Sequence, residues 1–330
     1  MENNYDLIAI GDIVVDTFIK LKNASIHGVP DNENYEICMP FAEKILYEDV
    51  FLAPAVGNAP NAAVAISRLG FKTALVSNIG DDRDGIDCLN SLKKDGVATE
   101  FVITNKGMKT NQHYVLWYGA DRTILIKHEV YPYVLPEINH PKWIYFSSVN
   151  ETAFPFHYTV ADYLDSHPQI KLAFQPGKFE IKLGKEKLER LYKHSKIFFC
   201  NVEEAEKILG LEDTEIKELL TKIRDLGPEI VIITDGPKGA YAYDGTEYLF
   251  MPTYPDPKPP YSRTGAGDAF SSTIVAGLIA GKTLAEAIAW AGINSMSVVQ
   301  QVGAQRGLLT QEKIEEYLKN APESYKAKKL

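Results

Sequence analysis

Cysteine is scarce in this sequence: Cys38, Cys88 and Cys200 are 3 residues among 330. An odd, sparse set without metal-like spacing excludes a disulfide framework and a zinc site, and leaves packing as their role. Long apolar runs are missing too, and nothing approaches the roughly 18 residues that a membrane span needs. Met1-Glu2-Asn3-Asn4-Tyr5-Asp6 has no basic stretch leading into an apolar core, so no secretory signal is expected. Positive charge is in deficit. With 35 Lys and Arg against 44 Asp and Glu, the formal net charge is -9. That argues against nucleic acid or an anionic membrane as the main partner. A small phosphate ligand stays open, because one local site can be positive in an acidic protein. Repeats and low-complexity linkers are absent. What is present, 45% hydrophobic and 24% charged residues, describes an ordinary globular chain, and a cytoplasmic location is expected.

Leu7-Ile8-Ala9-Ile10, ended by Gly11, reads as a buried first strand. Residues 17–55 are polar, hold Pro30, Pro40 and Pro54, and read as a peripheral excursion with one or two strands. A helix is expected from Asn61 to Leu69, stopped by Gly70, then a strand at Thr73–Ser77 and a helix around Asp84–Lys94. This alternation predicts a parallel sheet wrapped by helices. Residues 100–128 break it. Gln112–Tyr118 and Thr123–Ile126 are β-rich, with Gly119-Ala120-Asp121 as a turn. The alternation then resumes, with strands at Trp143–Ser147, Lys171–Phe174, Lys196–Phe199 and Ile230–Thr234. Helices are expected at Tyr158–Ser166, Lys185–Lys193, Val202–Leu209, Ile216–Leu226, Ala266–Ala280 and Leu284–Gln300, with a short one after Thr310. The Lys-rich tail at 326–329 is expected to fray.

Five segments carry candidate chemistry. In Thr264-Gly265-Ala266-Gly267-Asp268 small residues stand where a loop becomes an apolar helix, so a ligand can approach the backbone. The first N–H groups of that helix lack internal partners and suit a phosphate. A carboxylate there makes sense if Asp268 must face an attacking hydroxyl beside the phosphate, the general-base position in phosphoryl transfer. Taken alone, the segment also fits a glycine-rich turn with an acid in a helix's first turn. Gly57-Asn58-Ala59-Pro60-Asn61 opens a small-residue helix; Asn61 either caps it or, with Gly57, lines a polar pocket for an acceptor. Asp16, after the first strand, offers two acceptor oxygens to neighbouring hydroxyls, or is a turn residue. Asn201-Val202-Glu203-Glu204 is a capping box, a group that holds waters around a phosphate-bound Mg²⁺, or both. Thr234-Asp235-Gly236-Pro237-Lys238-Gly239 is a turn that lies over a nucleotide or joins two strands.

In this order these segments resemble the ribokinase-like, or PfkB, family of carbohydrate kinases, and Gly80-Asp81-Asp82-Arg83-Asp84-Gly85 is similar to that family's Gly-Asp-Asp-x-x-Gly turn. The resemblance covers almost the whole chain and is most specific at Thr264–Asp268. It implies an α/β fold of three layers, α/β/α, with a mostly parallel sheet and a small β-rich lid. The core would comprise 1–16, 51–99 and 129–330, the lid 17–50 and 100–128. It implies ATP and Mg²⁺, with Asp268 as base, the backbone of Gly265, Ala266 and Gly267 as anion hole, and Asn201 and Glu204 around Mg²⁺ and phosphate. Thr234, Gly236 and Gly239 would lie along the ATP, and Asp16, Gly57 and Asn61 would bind acceptor hydroxyls. The chain departs from the family at Val56, where a second Gly is usual, and at Ser262, where relatives that bind a monovalent cation have Asp, which leaves a potassium site open. Arg263 follows, either a phosphate clamp or a surface arginine. Phe174-Gln175-Pro176-Gly177 also departs from the family, with no account from the sequence.

The expected reaction is ATP-dependent phosphorylation of a hydroxyl on a sugar or sugar acid. A nucleoside is the alternative, with Tyr114, Trp117 and Tyr118 available for stacking; a catalytically inactive ligand-binding relative is another. A dinucleotide oxidoreductase is disfavoured, since Gly11-Asp12-Ile13-Val14-Val15-Asp16 is no Gly-x-Gly-x-x-Gly loop. The expected partners are the acceptor and ATP, with a homodimer through the exposed face of the lid sheet.

Overall fold

The computed structural model describes residues 5–28, 35–119, 121–138 and 140–330. Pro30, Ala120 of the expected Gly119–Asp121 turn, and Met1–Asn4 lie outside the described residues. The centre is a ten-stranded sheet. From one edge inward its strands are Lys328–Lys329, Tyr248–Met251, Ala240–Tyr243, Ile230–Thr234, Ser195–Asn201, Lys171–Phe174, Trp143–Phe146, Leu7–Ile10, Thr73–Gly80 and Val102–Asn105. From Ile230–Thr234 to Val102–Asn105 the neighbours are parallel; the other three strands are antiparallel.

The first strand shows why the fold has three layers. Leu7 and Ala9 enter one apolar cluster, with residues of helices Asn58–Arg68, Ala266–Ile279 and Leu284–Val299. Ile8 and Ile10 point the other way, into a cluster with Phe154–Ser166 and Ile216–Arg224. Alternate side chains leave opposite faces of a strand, so an unbroken apolar run needs helices on both sides. Burying Ile8 and Ile10 completely stabilises by about 2 kcal/mol each.

A second sheet of four strands stands apart, ordered Tyr47–Val56, Val14–Leu21, Gln112–Tyr118 and Asp121–Lys127. A small pair, Ser25–His27 with Glu36–Cys38, accompanies it. The early excursion thus holds more strands than the one or two expected. Val14–Leu21 is one continuous strand, so residues 14–16 leave the core already paired into the lid sheet. Val102–Asn105, grouped with the lid in the sequence division, instead pairs with Ser77–Gly80 at the edge of the central sheet. It is a short β-branched run returning after helix Arg83–Lys94, the usual crossover to a parallel neighbour.

Two further expectations are corrected. The tail does not fray: Lys328 and Lys329 pair with Phe250 and Leu249, and Lys329 forms an ion pair with Glu247. The helix expected from Asn61 begins at Asn58, after Gly57, which carries Asn61 into its first turn. Cys38, Cys88 and Cys200 are free thiols, the last two buried.

Candidate active site

The parallel strands put their carboxyl ends on one edge, and ligands of open α/β sheets bind outside that edge. Asp12 and Asp16 follow Leu7–Ile10 there, Gln175 follows Lys171–Phe174, and Asn201 and Thr234 end adjacent strands in register with each other. Helix Ala266–Ile279 begins over the same side of the molecule. Its cap, Gly265, has φ 80°, and a Cβ there would lie 2.3 Å from Ala304 Cβ. Only glycine fits that backbone and that contact.

Asp268 sits in the first turn of this helix and is 9% exposed. Its carboxylate accepts three side-chain amides: Asn58 Nδ2 at 2.7 Å on Oδ1, Asn61 Nδ2 at 2.7 Å on Oδ2, and Gln175 Nε2 at 3.2 Å on Oδ1. Burial pushes the carboxyl above the ordinary Asp value, and the amides of Asn61, Asn58 and Gln175 oppose that shift without cancelling it. Two of the amides are themselves oriented. Gln305 Nε2 donates to Asn61 Oδ1 at 2.9 Å and to the Ala55 carbonyl at 2.8 Å. Gln175 Oε1 accepts from the Tyr145 hydroxyl and from Ser271 Oγ, the latter at 2.9 Å. With their oxygens engaged, the amides of Asn61 and Gln175 must turn their NH₂ groups toward Asp268. The carboxylate is thus held by neutral donors alone.

The other candidates fall around this centre. Asn61 does not cap its helix; its side chain serves Asp268. Gly57 has φ 120°, and a Cβ on it would lie 2.6 Å from the Asp12 carbonyl oxygen. Asp16 lies on the lid strand, its Oδ1 3.3 Å from His113 Nδ1. Asn201 and Glu204 form the capping box: Glu204 N donates to Asn201 Oδ1 at 2.8 Å, and Asn201 N to Glu204 Oε2 at 2.9 Å. Burial raises the Glu204 carboxyl above its ordinary value. Gly236 opens the 3₁₀ turn Gly236–Lys238 and Gly239 closes it, joining Ile230–Thr234 to the antiparallel Ala240–Tyr243. Ser262 is buried and its Oγ donates to Thr264 Oγ1 at 3.2 Å. Arg263 is exposed and forms no ion pair among the described residues. Trp117 packs edge-on against Tyr261 with ring centres 5.1 Å apart, and Lys20 lies over it.

Asn58, Gln175, Gln305, Tyr145 and Ser271 were not singled out as site residues from the sequence. Asn58 had a signal: once the helix starts at residue 58, Asn58 and Asn61 are three apart and share a face. Gln305 had none, being 244 residues from the side chain it orients.

The family model described as pfkB family carbohydrate kinase matches residues 39–311. This chain belongs to that family. As a pfkB-family kinase it is a phosphotransferase with a hydroxyl acceptor. It is 30% identical over 270 residues to the ribokinase of Bacillus subtilis, covering 79% of this chain and 87% of the relative. It is 27% identical over 263 residues to the fructoselysine 6-kinase of Escherichia coli, covering 78% and 95%. In fold it is similar to the ribokinase of Arabidopsis thaliana complexed with ribose and ATP, with a TM-score of 0.79 at 18% identity, over 96% of this chain and 99% of that one. A nucleoside kinase of Methanocaldococcus jannaschii gives 0.75 at 19% identity, over 96% and 100%. The central sheet with its helix layers and separate lid sheet is the ribokinase fold. Among the described residues no helix of this pfkB-family chain is long and apolar enough to cross a membrane.

Proposed function

We propose that this protein transfers the γ-phosphoryl group of ATP to a hydroxyl of a sugar, with Asp268 as the general base. The observation that carries the reading is the buried Asp268 carboxylate, held by three amides, two of them oriented, at the head of a helix whose first N–H groups have no side-chain cap. The acceptor hydroxyl gives its proton to Asp268 as its oxygen bonds to the γ-phosphorus. The bond from that phosphorus to the β-bridging oxygen breaks, and ADP leaves. The amides of Gly265, Ala266 and Gly267 face the charge on the transferring oxygens. Asn201, Thr234, Gly236 and Gly239 form the floor for the nucleotide along the strand ends, and Arg263, exposed and unpaired, is free to reach a phosphate. Asp16, Gly57 and Asn61 hold the acceptor.

Glu204, whose carboxylate accepts from Asn201 N at the end of its strand, would hold Mg²⁺ through water, and the ion would supply charge neutralisation on the phosphates. A putative ribokinase II of E. coli with the same fold has been solved with ATP and Mg²⁺. Ser262 offers a hydroxyl already bonded to Thr264 and no carboxylate, so a potassium site is not part of the proposal. The engagement of Trp117 with Tyr261 and Lys20 removes one of the three lid aromatics on which a nucleoside base could stack, which supports a sugar. Exposed Val50, Leu52, Tyr114 and Leu125, which the register places on one face of the lid sheet, support a homodimer through it. The cytoplasm, where ATP is available, is the proposed location.

A coupled ADP-release assay over a panel of sugars, sugar acids and nucleosides with ATP and Mg²⁺ tests the reading. Acceptor-dependent ADP release from a free sugar supports it. Turnover of nucleosides alone would replace the sugar with the second class, and no release with any acceptor would leave an inactive ligand-binding relative.

A further inference from the structure

Four mostly buried ionisable side chains, Asp12, Asp16, His113 and His128, join the core to the lid. His113, on Gln112–Tyr118, and His128, just beyond Asp121–Lys127, stack with ring centres 5.1 Å apart and planes 16° from parallel. Their Nε2 atoms are 2.9 Å apart. The outer nitrogens face carboxylates: His113 Nδ1 is 3.3 Å from Asp16 Oδ1, and His128 Nδ1 is 3.3 Å from Asp12 Oδ2. Asp12 Oδ1 accepts the Tyr133 hydroxyl at 2.7 Å, and Phe179 stands edge-on to His128. All four side chains are at least 85% buried, and Asp12 Oδ2, Asp16 Oδ1 and His128 Nδ1 have no hydrogen-bond partner. Buried polar atoms without partners call for an explanation, and a ligand is one. A metal is not: among the described residues no group of three or more His, Cys, Asp or Glu is arranged to hold one.

Two links tie this group to the segments that supply the amides on Asp268. The Asp12 carbonyl abuts Gly57, which caps the helix carrying Asn58 and Asn61. Phe179, against His128, lies four residues beyond Gln175, the third amide on Asp268. We propose that Asp12, His128, His113 and Asp16 act as one relay that holds Asp16 for the acceptor and makes the pocket select uncharged polyols over anionic acceptors. The two imidazoles are positioning residues; the inference deepens the kinase reading and rests on it.

The chemistry follows from counting protons. The Nε2–Nε2 contact has room for one proton, donated by one ring and accepted by the other. Because one Nε2 must accept across that contact, the two rings together hold at most three N–H protons and at most one positive charge. The rings can therefore match at most one of the two carboxylates they face. Carboxylate oxygens accept and cannot donate, so an entering ligand must bring O–H or N–H groups, and an anion meets repulsion in a desolvated site. The relay also explains why lid residues matter to a core acid: Asp16 and His113 are paired across adjacent lid strands, so the lid presents the carboxylate and its orienting ring together.

The test uses the full chain in the ADP-release assay. D-ribose, D-fructose and adenosine serve as uncharged acceptors, D-gluconate and D-fructose 6-phosphate as anionic ones. The proposal expects the best uncharged acceptor to exceed either anion at least about tenfold in kcat/KM. It expects His113→Phe and His128→Phe each to raise that acceptor's KM by about tenfold, the value of one hydrogen bond to a charged group, with the KM for ATP unchanged. The double variant should be little worse than either single one, because one relay is broken in each. Should a Phe variant fail to fold, His113→Asn and His128→Asn break only the ring-to-ring bond and should raise the acceptor KM severalfold. An unchanged acceptor KM, additive effects, or preference for an anionic acceptor would overturn the proposal. Failure of the wild type to turn over any acceptor would overturn the kinase reading itself, and the inference with it.

Discussion

Replacing Gly267 with alanine separates what the late helix needs for folding from what it needs for chemistry. Gly267 lies in the first turn of Ala266–Ile279, is exposed, and a Cβ built on it meets nothing within 4 Å. Alanine therefore brings no clash, and it restricts the unfolded chain more than glycine does. The fold should gain about 0.5 kcal/mol, or roughly 1–2 °C in melting temperature. The open space beside that backbone is where the proposal puts the transferring phosphate. A methyl group there keeps the phosphate off the amides, and a displacement of about 1 Å in a positioned reaction costs on the order of 10²-fold. Differential scanning calorimetry and coupled ADP release on the same preparation read the two effects. A variant that melts slightly higher and turns over far more slowly is expected. Full kcat/KM for ATP would refute a phosphate at this helix tip.

Gly265→Ala should behave in the opposite way, losing fold and function together. The left-handed backbone costs a residue with a Cβ about 1–2 kcal/mol and the overlap with Ala304 adds about as much, which chemical denaturation would measure. A base at Asp268 must be ionised, and its carboxyl is raised by burial, so under the proposed role the rate should fall as pH drops toward that raised value, above the ordinary Asp range. Asn61→Ala removes a donor that holds the carboxyl down, so the acid limb of the pH–rate profile should move to higher pH; an unmoved limb would deny the contact its role. Asp82 caps helix Arg83–Lys94 through Gly85 N and accepts from Thr110 N and Oγ1. Burial raises its carboxyl, but these donors hold it below the ordinary value overall. Its contribution is therefore present above the unfolded value of about 3.9 and lost as pH falls through the folded one. Asp82→Ala should cost about 2 kcal/mol at neutral pH, with the deficit shrinking in acid, as urea melts across pH would show.

How much of this was legible in the sequence depends on how local each cause is. Strands such as Lys171–Phe174 and Ile230–Thr234 and the helix Val202–Leu209 coincide with their expected limits, because an apolar run and a capping residue fix both ends within a few positions. The start of Asn58–Arg68 did not, because Gly57 caps with its backbone and Pro60 is tolerated in a first turn. The tail strand Lys328–Lys329 owes its pairing to an edge more than 75 residues away, which two lysines do not announce. Within the candidate site, Asp268 was singled out by the small residues before it. Its partners were not readable, because Asn58, Asn61 and Gln175 meet it across separations of 210, 207 and 93 residues. Gln175 is the clearest case. It stood out only as a departure from the family's pattern, and its role became visible once Tyr145 and Ser271 were seen to turn its amide toward the acid.

The central claim is that one carboxylate takes the acceptor's proton, and Asp268→Asn tests it most directly. The variant keeps the side chain's size and the helix tip, so it should fold and retain its thermal shift with ATP and Mg²⁺. Its turnover should fall by about 10²-fold or more, the usual contribution of a general base. A near-normal rate in a folded, ATP-binding Asp268→Asn protein would contradict the account.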